Sequence, residues 1–446
     1  LCDYYERSLA DPERNVPPEG WDWKGIHFLI VVDTKGRFVR VEDTREPSGS
    51  KLVPKKFLVP SLNEQKGNGI KANLFWENAE YFLGVPTKEN SRQERVKKQH
   101  EAFIDKIANL LNKEGIGEPI RNVLNAFRLN LLEEVSKCSV WEDLKKSDSL
   151  MIFKIEGLGV ITDLLEIRKA QVIDTGESLR GTCLVTGEKG PLKQLHPSIR
   201  GVRGANATGA SLVAVNNKIE NGKNTGQTPA FASFCKEQGF NAPVSVSAAL
   251  RYTKALNLLL EPESNNKTNV GDTTLVFWAQ EADTISYDLE QAFSWFVQEP
   301  PKEDTNRGVA AVKGLYEAVH TGKFPVGGQD RFYVLGLSPN SARISVRFWR
   351  SGKAKDFAEK ILKHFTDIQI THGPNEKEHL PLNQFLKATV LDYKMENVPP
   401  NLPGAVLASI LDGTPYPRSL LQQCVRRVRA ERKVTRERAA ILKACL

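Results

Sequence analysis

Residues 331–349, with the sequence RFYVLGLSPNSARISVRFW, constrain the fold more than any other stretch of this chain. Two runs rich in apolar residues flank the polar segment SPNS, and this is the pattern of a β-hairpin. Apolar and polar residues alternate along the second run, so we expect one apolar face and one basic face. The apolar positions are Ile344, Val346 and Phe348, and the polar positions are Arg343, Ser345 and Arg347. A helix predicted over residues 353–366 follows, and this β-β-α order is typical of an α+β fold.

The length of the chain allows more than one domain. With 446 residues and a hydrophobic content of 40%, it can bury more than one core. We predict a β-rich N-terminal α+β domain with inserted helices over residues 1–150, a central domain of mixed sheet and helix over residues 151–415, and the start of a basic helical domain over residues 416–446. The sequence stops within the helical pattern ERAAILKACL, without a cap or a glycine, so we expect the native protein to continue.

Local patterns place the remaining elements. Strands are predicted over residues 26–33, 37–41, 51–60, 151–155, 183–186 and 273–279. Helices are predicted over residues 92–114, 119–137, 244–260 and 420–445. Residues 217–228, NKIENGKNTGQT, are polar and contain glycine, so we predict a loop there.

Composition narrows the class of protein. The six cysteines are scattered without a CxxC pair, which argues against a zinc ribbon or a disulfide framework and favours a reducing compartment. No run of about 18 apolar residues occurs, so no membrane span is predicted. The motifs GxxxxGK[ST], HExxH and GxSxG are also missing from the sequence. We therefore predict no cofactor, no metal site and no catalytic residue.

Residues 194–216, QLHPSIRGVRGANATGASLVAVN, form a glycine-rich and basic segment that leads into an apolar run expected to be a strand. Glycines allow a backbone to approach a ligand closely, and arginines offer forked donors to phosphate. Arg200 and Arg203 are therefore candidates for contact with a polyanion. An ordinary turn with solvated arginines is the alternative. The sequence offers no evident catalytic partner for His196, which is therefore interpreted as a structural residue.

Two further stretches have the composition of nucleic-acid-binding segments. Residues 66–73, KGNGIKAN, combine glycines with lysines, which bind phosphate, and asparagines, which recognise base edges. Residues 426–438 contain six arginines on a predicted helix. The basic face of the predicted hairpin strand is a third candidate, and a solvated charged surface is the alternative in each case. The candidate residues are Lys66, Asn68, Lys71, Asn73, Arg343, Arg347, Arg426, Arg427 and Arg429.

Two Glu-x-Lys triplets keep an enzymatic alternative open. They begin at Glu64 and Glu431, and such triplets occur in some metal-dependent nucleases. Metal-assisted hydrolysis needs carboxylates clustered around the ion, and neither triplet lies on an evident strand. A metal-dependent nuclease is therefore the rival hypothesis, and a purely architectural subunit is a third.

Seven segments, in order along the chain, together resemble the large subunit of the type I-C CRISPR Cascade surveillance complex, a Csd-type family. They are PPEGW, LFWENAEYFLG, CLVTGEKGPLKQLHPSIRGVRGANATGASLVAVN, EQGFNAPVSVSAALRYTKALNLLL, GDTTLVFWA, LGLSPNSARISVRFW and GTPYPRSLLQQCVRRVRAER. The resemblance covers nearly the whole chain. It implies a non-catalytic protein of the prokaryotic cytoplasm that binds near the 5′ handle of the crRNA.

The resemblance also implies the partners. Subunits of this kind recognise the protospacer-adjacent motif in double-stranded target DNA, help to open the duplex into an R-loop, and recruit a separate helicase-nuclease. They associate with the backbone, handle-binding and small subunits of Cascade. Because an N-terminal loop typically reads the motif, the resemblance implies that role for Lys66, Asn68, Lys71 and Asn73. It assigns Arg200 and Arg203 to the nucleic-acid backbone or to a neighbouring subunit.

Overall fold

The computed structural model of the protein describes most of the chain. The described residues are 1–49, 51–61, 69–89, 91–111, 116–169, 179–215, 217–220, 223–227, 236, 238–280, 284–297, 314, 331–373 and 380–446. Within them, the combination of helices and several sheets confirms the predicted α+β class. No helix in these ranges has the length and apolar character required to cross a membrane.

The α-helices of the described residues are distributed along the whole chain. They are α1 (Cys2–Ala10), α2 (Ala79–Phe82), α3 (Gln93–Ala108), α4 (Gly117–Arg128), α5 (Leu131–Ser136), α6 (Trp141–Leu144), α7 (Leu165–Lys169), α8 (Val246–Leu259), α9 (Thr284–Val297), α10 (Ala354–Ile368), α11 (Leu382–Lys387), α12 (Asn401–Asp412), α13 (Arg418–Glu431) and α14 (Arg436–Cys445).

The strands are concentrated in the first half of the chain and in one later sheet. They are β1 (Trp21–Gly25), β2 (Phe28–Val32), β3 (Phe38–Asp43), β4 (Arg45–Ser48), β5 (Lys51–Pro54), β6 (Lys56–Pro60), β7 (Trp76–Glu77), β8 (Met151–Ile155), β9 (Gly159–Val160), β10 (Arg180–Thr182), β11 (Lys189–Pro191), β12 (Asn217–Glu220), β13 (Lys223–Gln227), β14 (Lys267–Val270), β15 (Thr273–Ala279), β16 (Arg331–Asn340) and β17 (Arg343–Lys353).

The chain divides into two compact units. The N-terminal unit comprises Pro12–Pro197 and Ala242–Leu250. The C-terminal unit comprises Leu1–Asp11, Ser198–Asn241 and Arg251–Leu446. The division into three domains at residues 150 and 415 stays a prediction.

The N-terminal unit is built around a sheet with the strand order β3-β2-β8-β7, in which β9 also pairs with β8. Strands β2 and β8 run parallel, and every residue of β2 is buried, as expected for a central strand covered on both faces. Helix α3 packs on this core through Phe103 and Ile107, which are four residues apart and therefore lie on one helix face. The rings of Phe82, Phe103, Phe127 and Phe153 fill the space between helix and sheet.

The C-terminal unit contains an antiparallel four-stranded sheet with the order β14-β15-β16-β17. Its β15 coincides with the strand predicted over residues 273–279, and all seven of its residues are buried. The predicted hairpin is also confirmed, since β16 pairs antiparallel with β17. Helix α10 packs on this sheet through Phe357, Ile361 and Phe365, and the cores of α13 and α14 join the same apolar cluster.

One prediction about the hairpin is wrong. A β-bulge shifts the register, so that Leu337 pairs with Val346 while Gly336 pairs with Phe348, and Arg347 is the extra residue. The alternation along β17 is therefore interrupted. Phe348 packs against the main core, whereas Val346, which was expected on the same buried face, is 50% exposed.

Three other local predictions differ from the structure. The helix predicted over residues 119–137 is divided into α4 and α5, because Asn130 adopts a left-handed backbone with φ of 57°. The strand predicted over residues 183–186 is a turn after β10, closed by a hydrogen bond from the Gly187 N–H to the Cys183 carbonyl. The polar segment at 217–228 contains the strand pair β12 and β13, and residues 212–215, expected to form a strand, do not.

Candidate nucleic-acid interface

The glycine-rich segment of the C-terminal unit forms a closed loop. The backbones of Ile199 and Ala210 exchange two hydrogen bonds of 2.9 Å, which bring the ends of the loop together. Gly201 has a φ of +85°, and a Cβ at this position would lie 2.4 Å from the carbonyl oxygen of Leu260. Only glycine fits this position without a shift of the backbone. The loop is therefore a rigid, closely packed turn.

The two arginines of the loop point outward while their backbone is anchored. The Arg200 N–H donates to Oδ1 of Asn257 at 2.9 Å, and the Arg203 N–H donates to Oγ1 of Thr274 at 3.0 Å. Both side chains are exposed. The aliphatic residues beside them, Ile199 and Val202, are buried. Alternation of buried aliphatic and exposed arginine residues presents the two guanidinium groups on the outside of a fixed backbone.

The hairpin arginines lie at the same end of the sheet as this loop. Ser211, at the end of the loop, forms a parallel bridge with Arg343 at the start of β17. The Arg203 Nη1 donates to the carbonyl of Gly271 at 3.4 Å, and Arg347 forms an ion pair of 3.5 Å with the adjacent Asp272. The structure thus brings together two pairs of arginines that are far apart in sequence. We call this group the sheet-end surface, and it consists of Arg200, Arg203, Arg343 and Arg347.

The charges of the sheet-end surface are only partly compensated. Arg347 donates from Nε to Oγ of Ser338 at 2.6 Å, and its side chain is half exposed next to Asp272. In the part of the chain that the structure describes, no side chain forms an ion pair with Arg200 or Arg343. A guanidinium that keeps free N–H groups at a surface can bind phosphate in a bidentate manner.

Trp349 is a candidate binding residue that sequence reasoning missed. Its ring is 43% exposed on the edge strand β17, two residues after Arg347. The covered part of the ring packs on the rings of Tyr333 and Trp278, and the distance between ring centroids is 5.6 Å in both cases. An exposed ring supported from below is a platform on which a nucleic-acid base can stack. The signal in the sequence was an aromatic residue between Arg347 and Arg350 on a predicted strand.

The arginines near the C-terminus have two different environments. Arg426 and Arg429 are exposed, and with Arg418 they have the spacing of one helix face of α13. Arg427 instead forms an ion pair with Glu431, four residues later on the same helix. Glu431 also accepts from Arg438 at 2.6 Å. The hydrogen bonds from Arg438 and Arg427 lower the pKa of Glu431 to about 2.

Arg438 is a fully buried residue that connects several segments. It is 0% exposed, and its Nε donates to the carbonyl of Ala388 at 3.0 Å. Its Nη1 donates to the carbonyl of Lys433 at 3.1 Å, and its guanidinium lies over the ring of Tyr393. The arginine-rich stretch therefore supplies both an exposed face and an internal clasp, which consists of Arg427, Glu431 and Arg438.

Comparison with known proteins identifies the family of the chain. The model of the family described as "CRISPR-associated protein (Cas_Csd1)" matches residues 1–446. The chain belongs to the Cas_Csd1 family. It is therefore a CRISPR-associated large subunit of the Csd1 type, and the family implies a Cascade complex with other Cas proteins. No curated protein matches the chain.

In this Cas_Csd1 protein, the predicted motif-reading loop lies in the N-terminal unit. Lys66 and Asn68 are outside the described residues. Lys71 is exposed. The Asn73 side chain donates from Nδ2 to Oε1 of Glu77 at 2.9 Å, and the backbone N–H of Asn73 donates to the same oxygen at 2.8 Å.

The residues that flank positions 62–68 are held in place. The indole Nε1 of Trp76 donates to the carbonyl of Pro60 at 2.9 Å, immediately before this segment. The Lys106 ammonium donates to the carbonyl of Ala72 at 2.7 Å, shortly after it. Glu77, which holds Asn73, is 1% exposed. The described residues on either side of positions 62–68 are therefore fixed on the core of the N-terminal unit.

Of the residues considered for catalysis, the structure describes Glu431 and His196, and both are in structural environments. Glu64 lies outside the described residues, and Glu431 belongs to the clasp. His196 is 7% exposed, and burial together with the charge of Lys193 lowers its pKa to about 4. A neutral, buried imidazole fits the structural role predicted for it.

Proposed function

We propose that this Cas_Csd1 protein is a non-catalytic, nucleic-acid-binding large subunit of the cytoplasmic surveillance complex. In this role it binds the 5′-handle region of the crRNA and the target DNA, and it recognises the protospacer-adjacent motif. It also promotes duplex opening and R-loop formation, and it recruits the helicase-nuclease. Membership of the Cas_Csd1 family supports a place in a Cascade complex, and the binding, recognition and recruitment roles are our proposal.

The sheet-end surface is the observation that carries the binding role. It joins Arg200 and Arg203 of the closed glycine loop to Arg343 and Arg347 of the hairpin. Guanidinium groups on an anchored backbone lose little freedom when they bind phosphate, so they suit a fixed polyanion. Trp349 adds stacking to these phosphate contacts. We propose that this surface holds the backbone of the crRNA or of the opened DNA strand.

The motif-reading role is proposed for the loop that includes Lys66, Asn68, Lys71 and Asn73. The fixed positions of Pro60 and Ala72, on either side of residues 62–68, support this role, because a reading loop must return to the same position on each duplex. The amide of Asn73 is already held by Glu77. We expect Asn73 to orient the end of the loop, and we propose that the exposed Lys71 contacts DNA directly.

The experiment that tests this proposal uses the assembled complex with its crRNA. Binding to duplexes with and without the motif is measured by electrophoretic mobility shift over a series of salt concentrations. Replacement of all four arginines of the sheet-end surface by alanine should lower the affinity at least about tenfold and flatten its dependence on salt. Replacement of Lys71 by alanine should weaken only the motif-bearing duplex.

A charge-matched control separates the proposed contacts from a general loss of positive charge. It replaces four exposed arginines of the N-terminal unit by alanine, namely Arg37, Arg40, Arg128 and Arg168. Equal losses in the control and in the sheet-end variant would contradict the proposal. Cleavage of DNA by the isolated chain with Mg²⁺ or Mn²⁺, lost in Glu64→Ala or Glu431→Ala, would favour the nuclease instead. Unchanged motif-dependent binding by a complex without this chain would favour the architectural subunit.

A further inference from the structure

The N-terminal unit contains a largely apolar cavity that the proposed function does not use. It has a volume of about 590 Å³ and lies between the end of α2, one face of α3 and the junction of α4 with α5. Its apolar lining comprises Phe82, Leu83, Val96, Phe127, Leu131 and Leu132. Because Leu132 is 41% exposed, the cavity opens on the surface of the unit.

The junction of α4 with α5 shapes one side of the cavity. Asn130, whose φ is 57°, ends the first helix and begins the second. The residues around this turn that line the cavity are Phe127, Asn130, Leu131 and Leu132. Leu129, at the same turn, is 50% exposed. Exposed leucines beside an apolar cavity are typical of a surface that binds another molecule.

Phe127 forms an aromatic wall of the cavity. The residue is half-buried, and its ring packs edge to face on the rings of Phe153 and Phe103, with centroid distances of 5.5 and 6.2 Å. The imidazole of His100 also meets this ring edge to face at 5.6 Å. A fixed aromatic ring attracts a further ring more strongly than it attracts an aliphatic group of equal area. The wall therefore favours an aromatic occupant.

His100 supplies a hydrogen-bond acceptor to the lining. Its Nδ1 lies 2.8 Å from the carbonyl oxygen of Tyr81, and a carbonyl oxygen accepts, so Nδ1 carries the proton. In the neutral imidazole, Nε2 is consequently an acceptor. No group among the described residues forms a hydrogen bond with Nε2. An occupant with one N–H or O–H group can donate to it.

The charged groups at the rim are already paired. Within the described residues, Glu94 and Lys97 are the charged side chains that line the cavity. Lys98 donates to Glu94 at 3.0 Å, and Lys97 lies 4.0 Å from Glu101. The lining therefore offers no excess positive charge to a phosphate, which nucleic acids require of their binding sites. It suits an uncharged group.

These three properties together select two amino-acid side chains. Tryptophan and tyrosine are aromatic and uncharged, and each has a single N–H or O–H donor. Phenylalanine and leucine would leave Nε2 of His100 without a donor, and a nucleotide would bring a phosphate that the rim does not compensate. Tryptophan and tyrosine are also the residues that most often anchor protein interfaces in pockets.

We propose that a partner protein of the complex inserts a tryptophan or tyrosine side chain into this cavity. Its ring packs on Phe127, and its donor binds Nε2 of His100. The inference goes beyond the proposed nucleic-acid contacts and does not depend on the sheet-end surface, so failure of either proposal leaves the other standing.

Methyl NMR spectra of the full chain with labelled leucine methyl groups test the chemistry of the cavity. The probes are N-acetyltryptophanamide, its 1-methylindole derivative, N-acetylleucinamide and AMP, in a mildly alkaline buffer that keeps imidazole neutral. We expect N-acetyltryptophanamide to shift the methyl signals of Leu131 and Leu132 in a saturable manner. The 1-methylindole derivative lacks the N–H donor and should bind at least about threefold more weakly. N-acetylleucinamide and AMP should also bind more weakly.

Variants assign the binding to the cavity. Leu132→Ala removes apolar contact and should weaken N-acetyltryptophanamide at least about threefold. Leu165→Ala changes a leucine that is 59% exposed in the same unit but outside the cavity, and it should leave the affinity unchanged. His100→Phe removes the acceptor and should abolish the difference between the two indole probes. Thermal unfolding verifies that each variant folds, and the wild-type probe comparison with Leu132→Ala decides the matter if His100→Phe does not.

Photocrosslinking in the complex assembled with its crRNA identifies the partner. Leu129, beside the cavity, is replaced by p-benzoylphenylalanine, and the same replacement of Leu165 is the control. We expect crosslinks from position 129, and not from position 165, to a peptide of another protein that contains tryptophan or tyrosine. Crosslinks to nucleic acid or to a second copy of this chain, or a lack of crosslinks, would overturn the proposal. Equal affinity of the two indole probes for the wild type, or tighter binding of AMP, would also overturn it.

Discussion

The sheet-end surface and the helices α13 and α14 differ in how the arginine content of the sequence relates to the charge exposed on the surface. The two pairs of arginines in the sheet-end surface are separated by more than a hundred residues, yet contacts at Gly271, Asp272 and Ser211 bring them to one end of a sheet. The stretch at 426–438 is dense in arginine, yet Arg427 and Arg438 share one carboxylate and Arg438 is fully buried. A high local density of arginine therefore does not by itself measure the charge that a partner meets.

The difference follows from the environment of each guanidinium. A buried arginine must satisfy its donors within the protein, so Arg438 binds backbone carbonyls and Glu431 and contributes to stability. An exposed arginine on a fixed backbone keeps donors for a ligand. Substitutions in the two regions should consequently affect different measurements, namely unfolding in one and binding in the other.

The largest expected effect is on stability and comes from the clasp. Arg438→Met should lower the free energy of unfolding by about 3 kcal/mol, because it leaves the buried carbonyl of Ala388 and the carbonyl of Lys433 without their donor and removes one of the two arginines that pair with Glu431. Urea denaturation followed by circular dichroism measures this change. Arg426→Met on the exposed face is the control and should stay within about 0.5 kcal/mol of the wild type. If both variants lost a similar free energy of unfolding, the clasp would not contribute more to stability than the exposed face.

The next effect concerns the rigidity of the glycine loop. Gly201→Ala should cost roughly 2 kcal/mol, because the new Cβ meets the Leu260 carbonyl and the backbone φ is +85°. Gly157 has a φ of +78° and open space around it, so Gly157→Ala isolates the cost of the backbone alone. Chemical denaturation measures the loss in free energy of unfolding for each variant. The loss for Gly201→Ala minus the loss for Gly157→Ala is the cost of the steric clash. Gly201→Ala should also weaken nucleic-acid binding, and unchanged binding would remove the loop from the interface.

A third, smaller effect is a dependence of stability on acid. The hydrogen bonds from Arg438 and Arg427 lower the pKa of Glu431 from 4.5 to about 2. The stabilisation is therefore complete above pH 4.5 and is lost as the pH falls through about 2. Glu431→Gln should be less stable than the wild type at neutral pH and should lose less stability between pH 5 and pH 2. If the free energy of unfolding of the two proteins fell in parallel between pH 5 and pH 2, the clasp would not hold Glu431 ionised.

The smallest effect separates two neighbouring arginines on α13. If the exposed face contacts nucleic acid, Arg426→Ala should reduce the slope of log affinity against log salt by about 0.9, the value for one phosphate contact. Arg427→Ala should change this slope less, because its guanidinium is already paired with Glu431. Salt titrations of the assembled complex measure both slopes. A larger change for Arg427 than for Arg426 would mean that the ion pair opens on binding.

Patterns in the sequence predicted much of the regular structure. The alternation and turn chemistry of residues 331–349 predicted the hairpin, and the buried run at 273–279 predicted β15, because periodicity and turn residues act locally. The bulge at Arg347 and the left-handed residue Asn130 were not predictable in this way. The bulge depends on how β17 pairs with β16, and the left-handed conformation is only one of several that the local sequence allows at an asparagine.

By itself, the sequence determined the α+β class, the family and the candidate arginines of this Cas_Csd1 protein. It could not determine which of those arginines share a surface, nor that Trp349 lies exposed on the edge strand beside Arg347. The tertiary structure decided these points, and it also placed Glu431 between Arg427 and Arg438. The physical reason is that a guanidinium has the same charge everywhere, whereas its available donors depend on what folding packs against it.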